Sequence, residues 1–449
     1  MSVPGITSIS NAIRNAARPL ARQANDYDPI LELLADRPLC LLGEATHGTH
    51  EFYGERAAIT KRLIEEKGLT AVAVEADWPD AFRVNRYVRG LSDDKNADEA
   101  LGGFERFPTW MWRNTVVVDF VEWLREYNAS LPASAPKVGF YGLDLYSLYT
   151  SIEAVLGYLA KVDPEAAKRA RQRYACFEHY SEDTQAYGYA TSFGITESCE
   201  REVIDQLLEL RRHATDFASR DGRVARDEFF FAEQNARLIL NAEKYYRTMF
   251  QGRVSSWNLR DQHMAETLDS LLAHLGAQSE PAKVAVWEHN SHLGDARATY
   301  MAEYGELNVG QLVRERHGGD AVLVGFTTYT GTVTAASDWD GPAERKRVRP
   351  ALPESYEALF HESLGGENFM LMLRTDSAAA NAVRGPRLER AIGVIYVPQT
   401  ERQSHYFEAR LAEQFDAVIH LDTTQALEPL ERYSAWETGE PPETFPTGV

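Results

Sequence analysis

Cysteine is scarce in this chain: only Cys40, Cys176 and Cys199 occur among 449 residues. They are odd in number, widely spread and without a CxxC pair, which excludes a disulfide-built scaffold and a cysteine-based zinc or redox motif. All three are expected to be reduced thiols. Long apolar runs are also missing. Stretches such as Val72-Ala73-Val74 and Ile392-Gly393-Val394-Ile395 fall far short of the about 20 residues a membrane-spanning helix needs. The N-terminal residues have Arg and Ala at roughly helical spacing and lack the continuous apolar core of a secretory leader. A short surface helix is expected there, and the cytoplasm is the expected location. Positive charge is in deficit, with 47 Lys and Arg against 67 Asp and Glu and a formal charge of -20. Such a surface repels phosphate backbones and anionic lipid, so neither nucleic acid nor a membrane is an expected partner. No GxSxG elbow, Walker loop or GxGxxG occurs, which disfavours serine-nucleophile, nucleotide-phosphate and dinucleotide chemistry. Cys40 lies within an apolar strand, where a thiol is inert.

The composition that is present, 44% hydrophobic and 25% charged, is that of a globular protein with a large core. Short apolar segments bounded by turn residues read as buried strands: Leu39–Gly43, Ala71–Glu75, Val138–Gly142, Val284–Trp287, Ala321–Gly325, Met370–Leu373 and Ala391–Tyr396. Amphipathic helical stretches separate the first three. The expected fold is therefore α/β, a mostly parallel sheet flanked by helices. From about Ser151 to Ala277 no strand is legible, and apolar residues recur at helical intervals in Glu200–Ala218 and Arg226–Phe250. This predicts a large helical insertion over the strand ends, within a single domain spanning the chain. The segment Ala335–Pro353, with Gly341-Pro342 and the basic Arg345-Lys346-Arg347, reads as a solvated surface loop. The tail from Glu440 is expected to be poorly ordered.

Chemistry gathers where three strands end. Gly43-Glu44-Ala45-Thr46-His47-Gly48-Thr49 follows the first strand, in a turn where two glycines permit close backbone approach. Active-site residues collect at such carboxyl ends in α/β folds. A lone loop histidine is more often structural, and Glu44 could cap a helix starting near Thr49. The second strand ends in Glu75-Ala76-Asp77-Trp78-Pro79, acids that could equally start a helix. The third repeats the arrangement in Trp287-Glu288-His289-Asn290-Ser291-His292. Together, histidines and glutamates in one cleft can perform general acid–base chemistry, because an imidazole titrating near about 6.5 can take a proton from water and return it. Glu44 or Glu75 could orient the ring, as the acid of a catalytic triad does. Arg56, on the helix after His47, either pairs with Glu75, holds an anionic group or is an ordinary surface arginine. Phe104, Phe107, Trp110 and Trp112 crowd one stretch and line either a pocket or the core. Asp144 is a fourth strand-end acid.

At these residues the sequence resembles the erythromycin esterase family, through the Gly43–Thr49 turn, the strand-terminal Glu75 and the pair His289 and His292. Ala242–Arg247 and Trp257–Met264 look like the family's helical part, and Tyr245-Tyr246-Arg247 with Trp257-Asn258 resembles its branch labelled succinoglycan biosynthesis. The resemblance spans roughly Leu39 to Leu430. It implies that His47 deprotonates water with no covalent intermediate, no required metal and no cofactor, and that a lactone or ester carbonyl is attacked. Glu44, Glu75 and His289 would complete the catalytic set. Arg56 and His292 would bind substrate and stabilise oxyanion charge, with Trp110 and Asp144 as further binding candidates. Macrolide lactones, and hence antibiotic resistance, are the substrate class that the family's name carries. Two other readings stand beside this one: a metallohydrolase whose ion is held by Glu44, His47, His289 and His292, and a non-catalytic protein that captures a small molecule in the same cleft.

Overall fold

The computed structural model describes residues 6–180, 183–214, 223–250, 252–278, 282–374, 377–432 and 434–438. The tail from Glu440 lies outside the described residues. The strands are β1 (Arg18–Pro19), β2 (Leu39–Leu42), β3 (Ala71–Asp77), β4 (Gly139–Asp144), β5 (Val284–Trp287), β6 (Ala321–Thr327), β7 (Thr330–Ala335), β8 (Glu344–Val348), β9 (Phe369–Met372), β10 (Arg387–Arg390), β11 (Tyr406–Ala409), β12 (Ala417–His420) and β13 (Thr423–Thr424). Eight of them form the central sheet, in the order β1-β9-β12-β6-β2-β5-β3-β4. From β12 to β4 every neighbour pair is parallel, and β9 and β1 close one edge antiparallel. The chain is thus α/β with a mostly parallel sheet.

The apolar runs become central strands because both faces of the sheet are covered. Successive side chains point to opposite faces, and here each face has its own core. Leu39, Leu41, Ala73, Val286 and Leu323 pack on one side, whereas Cys40, Leu42, Val74, Trp287 and Val324 pack on the other. Between β4 and β5 the described residues contain helices and no strand, the helices including Leu148–Val162, Glu200–Arg212, Arg223–Thr248 and Arg253–Gly276, as the missing strand signal predicts.

Several expectations need correction. Ala391–Tyr396 is not a sheet strand. It crosses the strand ends as a brace, with isolated bridges from Ile392 to Thr46 and from Ile395 to Ala336. Its place in the sheet is taken by β12, whose apolar run Ala417-Val418-Ile419 is too short to stand out in the sequence. The basic stretch in Ala335–Pro353 is not a loop but β8, paired antiparallel with β7. Arg345 and Arg347 face solvent while Lys346 points inward, its Nζ donating to Ser337 Oγ at 2.7 Å and Tyr396 O at 2.9 Å. Two of the three cysteines are not free thiols: Cys176 and Cys199 are joined, with Cα atoms 6.0 Å apart. Only the fold brings together positions separated by 23 residues. Cys40 is free and buried.

Candidate active site

After β2 the chain turns through Gly43–Thr49 before the helix His50–Lys67 begins. The turn is braced on both sides. Gly43 N–H donates to Val324 O at 2.8 Å, Ile392 N–H to Ala45 O at 2.8 Å and His47 N–H to Ile392 O at 3.3 Å. Close approach requires both glycines: a Cβ at Gly43 would lie 2.2 Å from Asn290 Oδ1, and one at Gly48 only 1.8 Å from Thr334 O.

Within this turn Glu44 does not cap the helix. Its Oε1 lies 2.8 Å from His47 Nδ1, and its Oε2 is 2.7 Å from Arg56 Nη2. A carboxylate held by a guanidinium only accepts, so His47 Nδ1–H donates to Glu44 and Nε2 is the nitrogen left outside that bond, in the ring that lines the cavity. Arg56 itself is fully buried. Its guanidinium lies over the rings of Tyr53 and Trp287, 4.3 and 5.2 Å from their centroids. It touches Glu44 and is not among the residues that line the cavity.

Glu75, near the end of β3, accepts the His289 backbone N–H at Oε2, 2.9 Å away. Its Oε1 is 2.8 Å from Arg260 Nη2, 3.4 Å from His292 Nε2 and 3.9 Å from His47 Nε2. Burial pushes its carboxyl up, but His292, His47 and Arg260 outweigh burial and hold it well below the usual range. Next to it, Asp144 receives Arg260 Nε and Nη2 at 3.0 and 2.7 Å. Although burial opposes it, this bidentate pairing lowers the Asp144 pKa.

His289, two residues beyond β5, is placed 4.9 Å from His47 between ring centroids. Its Nδ1 accepts the Ser291 backbone N–H at 3.2 Å, so Nε2 carries the hydrogen, and that atom has no hydrogen-bond partner among the described residues. Burial, and then His47, push the ring down to about 3. It is a neutral donor at any ordinary pH. Glu288, one residue earlier, has no partner for either carboxylate oxygen among the described residues, and burial, Glu75 and Asp261 raise it well above the usual range.

His47, Glu75, Asp144, Arg260 and His289 line one wall of a cavity of about 370 Å³ at the carboxyl ends of the strands, where open α/β sheets bind ligands. Of the expected site residues, His47, Glu75, Asp144, His289 and His292 reach it. Glu44 and Arg56 stand behind His47, and Trp110 packs in a small core with Ala336 and Ala343. The pocket aromatics from that stretch are Phe104, Phe107 and Trp112. Asp77, weighed with Glu75 as a strand-end acid, also lines the cavity, whereas sequence reasoning missed Arg260, Asp80, Arg106 and Tyr146, which line it too. Arg106 Nε donates to Asp77 Oδ2 at 2.9 Å. Burial and Asp77 push Asp80 up to about 8. Arg260 had one signal, its place in the Trp257–Met264 segment, but nothing local separates it from a surface arginine. Among the described residues, no three His, Cys, Asp or Glu side chains are grouped to hold a metal ion.

Comparison with known proteins places this geometry. The family described as erythromycin esterase matches residues 64–424. The chain is 22% identical to erythromycin esterase type II of Escherichia coli over 90% of this chain and 94% of the relative. A solved Bacillus cereus protein superposes with a TM-score of 0.79 at 21% identity, covering 95% of this chain and 100% of its own. A solved succinoglycan biosynthesis protein does so with a TM-score of 0.74 at 23% identity, covering 94% and 98%.

Proposed function

The chain belongs to the erythromycin esterase family, and from that premise we propose that it hydrolyses an ester or lactone bond of a small molecule with water activated by His47. The observation that carries this reading is the buried relay from Arg56 through Glu44 to His47 Nδ1, at 2.7 and 2.8 Å. It leaves Nε2 as a base on the cavity side. Water gives its proton to Nε2 as its oxygen attacks the carbonyl carbon, and the imidazolium then returns that proton to the departing alkoxide. Glu44 stabilises the imidazolium and Arg56 holds Glu44. His289 supports the oxyanion with its Nε2–H, which has no hydrogen-bond partner among the described residues. A preorganised donor of this kind contributes about 10²–10³-fold to turnover.

The cavity size suits a small-molecule ligand, and no described helix is long and apolar enough to cross a membrane. The test is a panel of macrolide lactones and simple esters followed by mass spectrometry, comparing wild type with His47→Ala, with and without a chelator. A product heavier by one water, formed by wild type, lost in the variant and unaffected by the chelator, is expected. Turnover that survives His47→Ala would overturn the reading. Turnover abolished by the chelator would move it to metal-dependent hydrolysis, and a ligand bound but unchanged would move it to capture without catalysis.

A further inference from the structure

Two guanidinia lie over one aromatic ring in the cavity wall. Tyr146, two residues beyond β4, lines the cavity, and its ring centroid is 4.6 Å from Arg106 Cζ and 5.0 Å from Arg260 Cζ. The two arginines come from distant parts of the chain. Arg106 precedes the turn Thr109–Met111, whereas Arg260 belongs to the helix Arg253–Gly276 of the insertion. Tyr146 is itself fixed from both sides. Its backbone N–H donates to Asp77 Oδ1 at 3.0 Å, its carbonyl accepts from the Tyr246 hydroxyl at 3.1 Å, and Tyr245 stands edge-on to its ring with centroids 5.3 Å apart.

Each guanidinium in turn holds carboxylates of the strand ends. Arg106 Nε donates to Asp77 Oδ2 at 2.9 Å. Arg260 spans Asp144 and Glu75, and its Nη1 lies 3.0 Å from His292 Nε2. The N–H donors of a guanidinium lie in its plane, so these bonds direct the group within that plane and oppose motion perpendicular to it only weakly. A ring face supplies the missing restraint, because its π density is negative where the cation approaches. Two like charges near one centroid repel, but the buried carboxylates of Glu75, Asp77 and Asp144 offset that repulsion, and a cation with little water around it is held most strongly by a ring. Glu75 carries the consequence to the chemistry, since its Oε1 is 3.9 Å from His47 Nε2 and its Oε2 receives the His289 backbone N–H.

We propose that Tyr146 is a positioning residue whose ring, rather than its hydroxyl, fixes the planes of Arg106 and Arg260 and, through Arg260, holds Glu75 in place beside His47 and His289. The hydroxyl is dispensable to this role, because its contact with the Tyr245 hydroxyl, at 3.3 Å, is long for an O–H···O bond. The consequence for turnover rests on the hydrolytic reading above; the restraint on the two guanidinia does not.

The test places phenylalanine, then phenylalanines of increasing fluorination, then leucine at position 146 of the full chain. Fluorine withdraws π density while keeping a ring in the site, so packing alone would not respond to it. Hydrogen exchange of the Arg106 and Arg260 Nε–H groups, assigned by Arg106→Lys and Arg260→Lys, is followed by nitrogen-15 spectroscopy. Tyr146→Phe should exchange as wild type does, fluorination should speed exchange step by step, and Tyr146→Leu should speed it by about 10-fold, the scale of one desolvated cation–π contact. Fluorinated rings indistinguishable from Tyr146→Phe would overturn the proposal, as would unchanged exchange in folded Tyr146→Leu. If the leucine variant does not fold, the fluorinated series decides alone. On an ester that the enzyme turns over, kcat should be kept in Tyr146→Phe and fall in the same order as the ring weakens. Absence of turnover on every ester would sink the hydrolytic reading while leaving the exchange result intact.

Discussion

At His47 the acidic partner decides which nitrogen can act. Glu44 accepts at 2.8 Å from Nδ1, and an amide in its place could offer its NH₂ to that nitrogen and stabilise the wrong tautomer. Glu44→Gln is therefore expected to keep the fold and KM while lowering kcat by up to about 10⁴-fold, as in triads whose acid is amidated; steady-state kinetics on the identified ester checks this. Asp80 makes the complementary case. Its carboxyl is raised to about 8 by burial and by Asp77, against about 3.9 for an unfolded chain. The folded state thus binds more protons between those values, so the group's favourable contribution is fully present below the unfolded pKa and is lost as pH rises to about 8. Asp80→Asn removes that loss. Its melting temperature should gain on wild type steadily as pH is raised from about 5 to about 8, and a difference that stays flat with pH would contradict the assignment.

At the scale of elements, the turn after β2 works because two other segments press against it. The built Cβ at Gly48 falls 1.8 Å from the Thr334 carbonyl of β7, which is backbone and cannot swing aside. Gly48→Ala should accordingly displace the turn and cost about 1–3 kcal/mol of stability, read by chemical denaturation, together with most of the activity. The helical insertion carries its own staple. Cys199 precedes the helix Glu200–Arg212 and is bonded to Cys176 in the turn Ala175–Tyr180. Cys40 is buried in β2, and its thiol is pushed up to about 12 by burial and Asp416. Ellman titration should find no reactive thiol in the native protein, one after unfolding without reductant and three after reduction, following the single free and two bridged cysteines. Three thiols without reductant would show the bridge to be absent.

At the scale of the whole molecule, burial of neutral imidazoles links stability to acid. His263, inside the insertion, is pushed down to about 3 by burial and Arg237, and its Nδ1 lies 2.8 Å from Asn241 Nδ2. The unfolded chain takes up this proton near about 6.5 and the folded one only near about 3, so stability is complete above the upper value and falls as pH drops through the window. Relative to His263→Asn, wild type should lose about 1.4 kcal/mol per pH unit across it, measured by denaturation at stepped pH. The same scale separates what was legible in the residues from what was not. Continuous apolar runs such as Leu39–Leu42 and Val284–Trp287 carry the α/β class, because a strand covered on both faces must be apolar at every position. Glu44, His47, Glu75, His289 and His292 were legible for a related reason: each lies close to the end of such a run, and parallel strands bring all those ends to one edge. Arg56, Trp110 and Arg260 carry no such mark. Whether a side chain turns toward the cavity or behind it depends on the angle of its helix, and the sequence spacing of 185 residues between Glu75 and Arg260 holds no information about their contact. The sequence by itself determined which residue types stand at the strand ends. Only tertiary packing decided that Arg56 braces Glu44 from behind, that Arg260 crosses from the insertion to meet His292, and that Cys176 finds Cys199, because contacts between distant segments are chosen by how whole layers fit together.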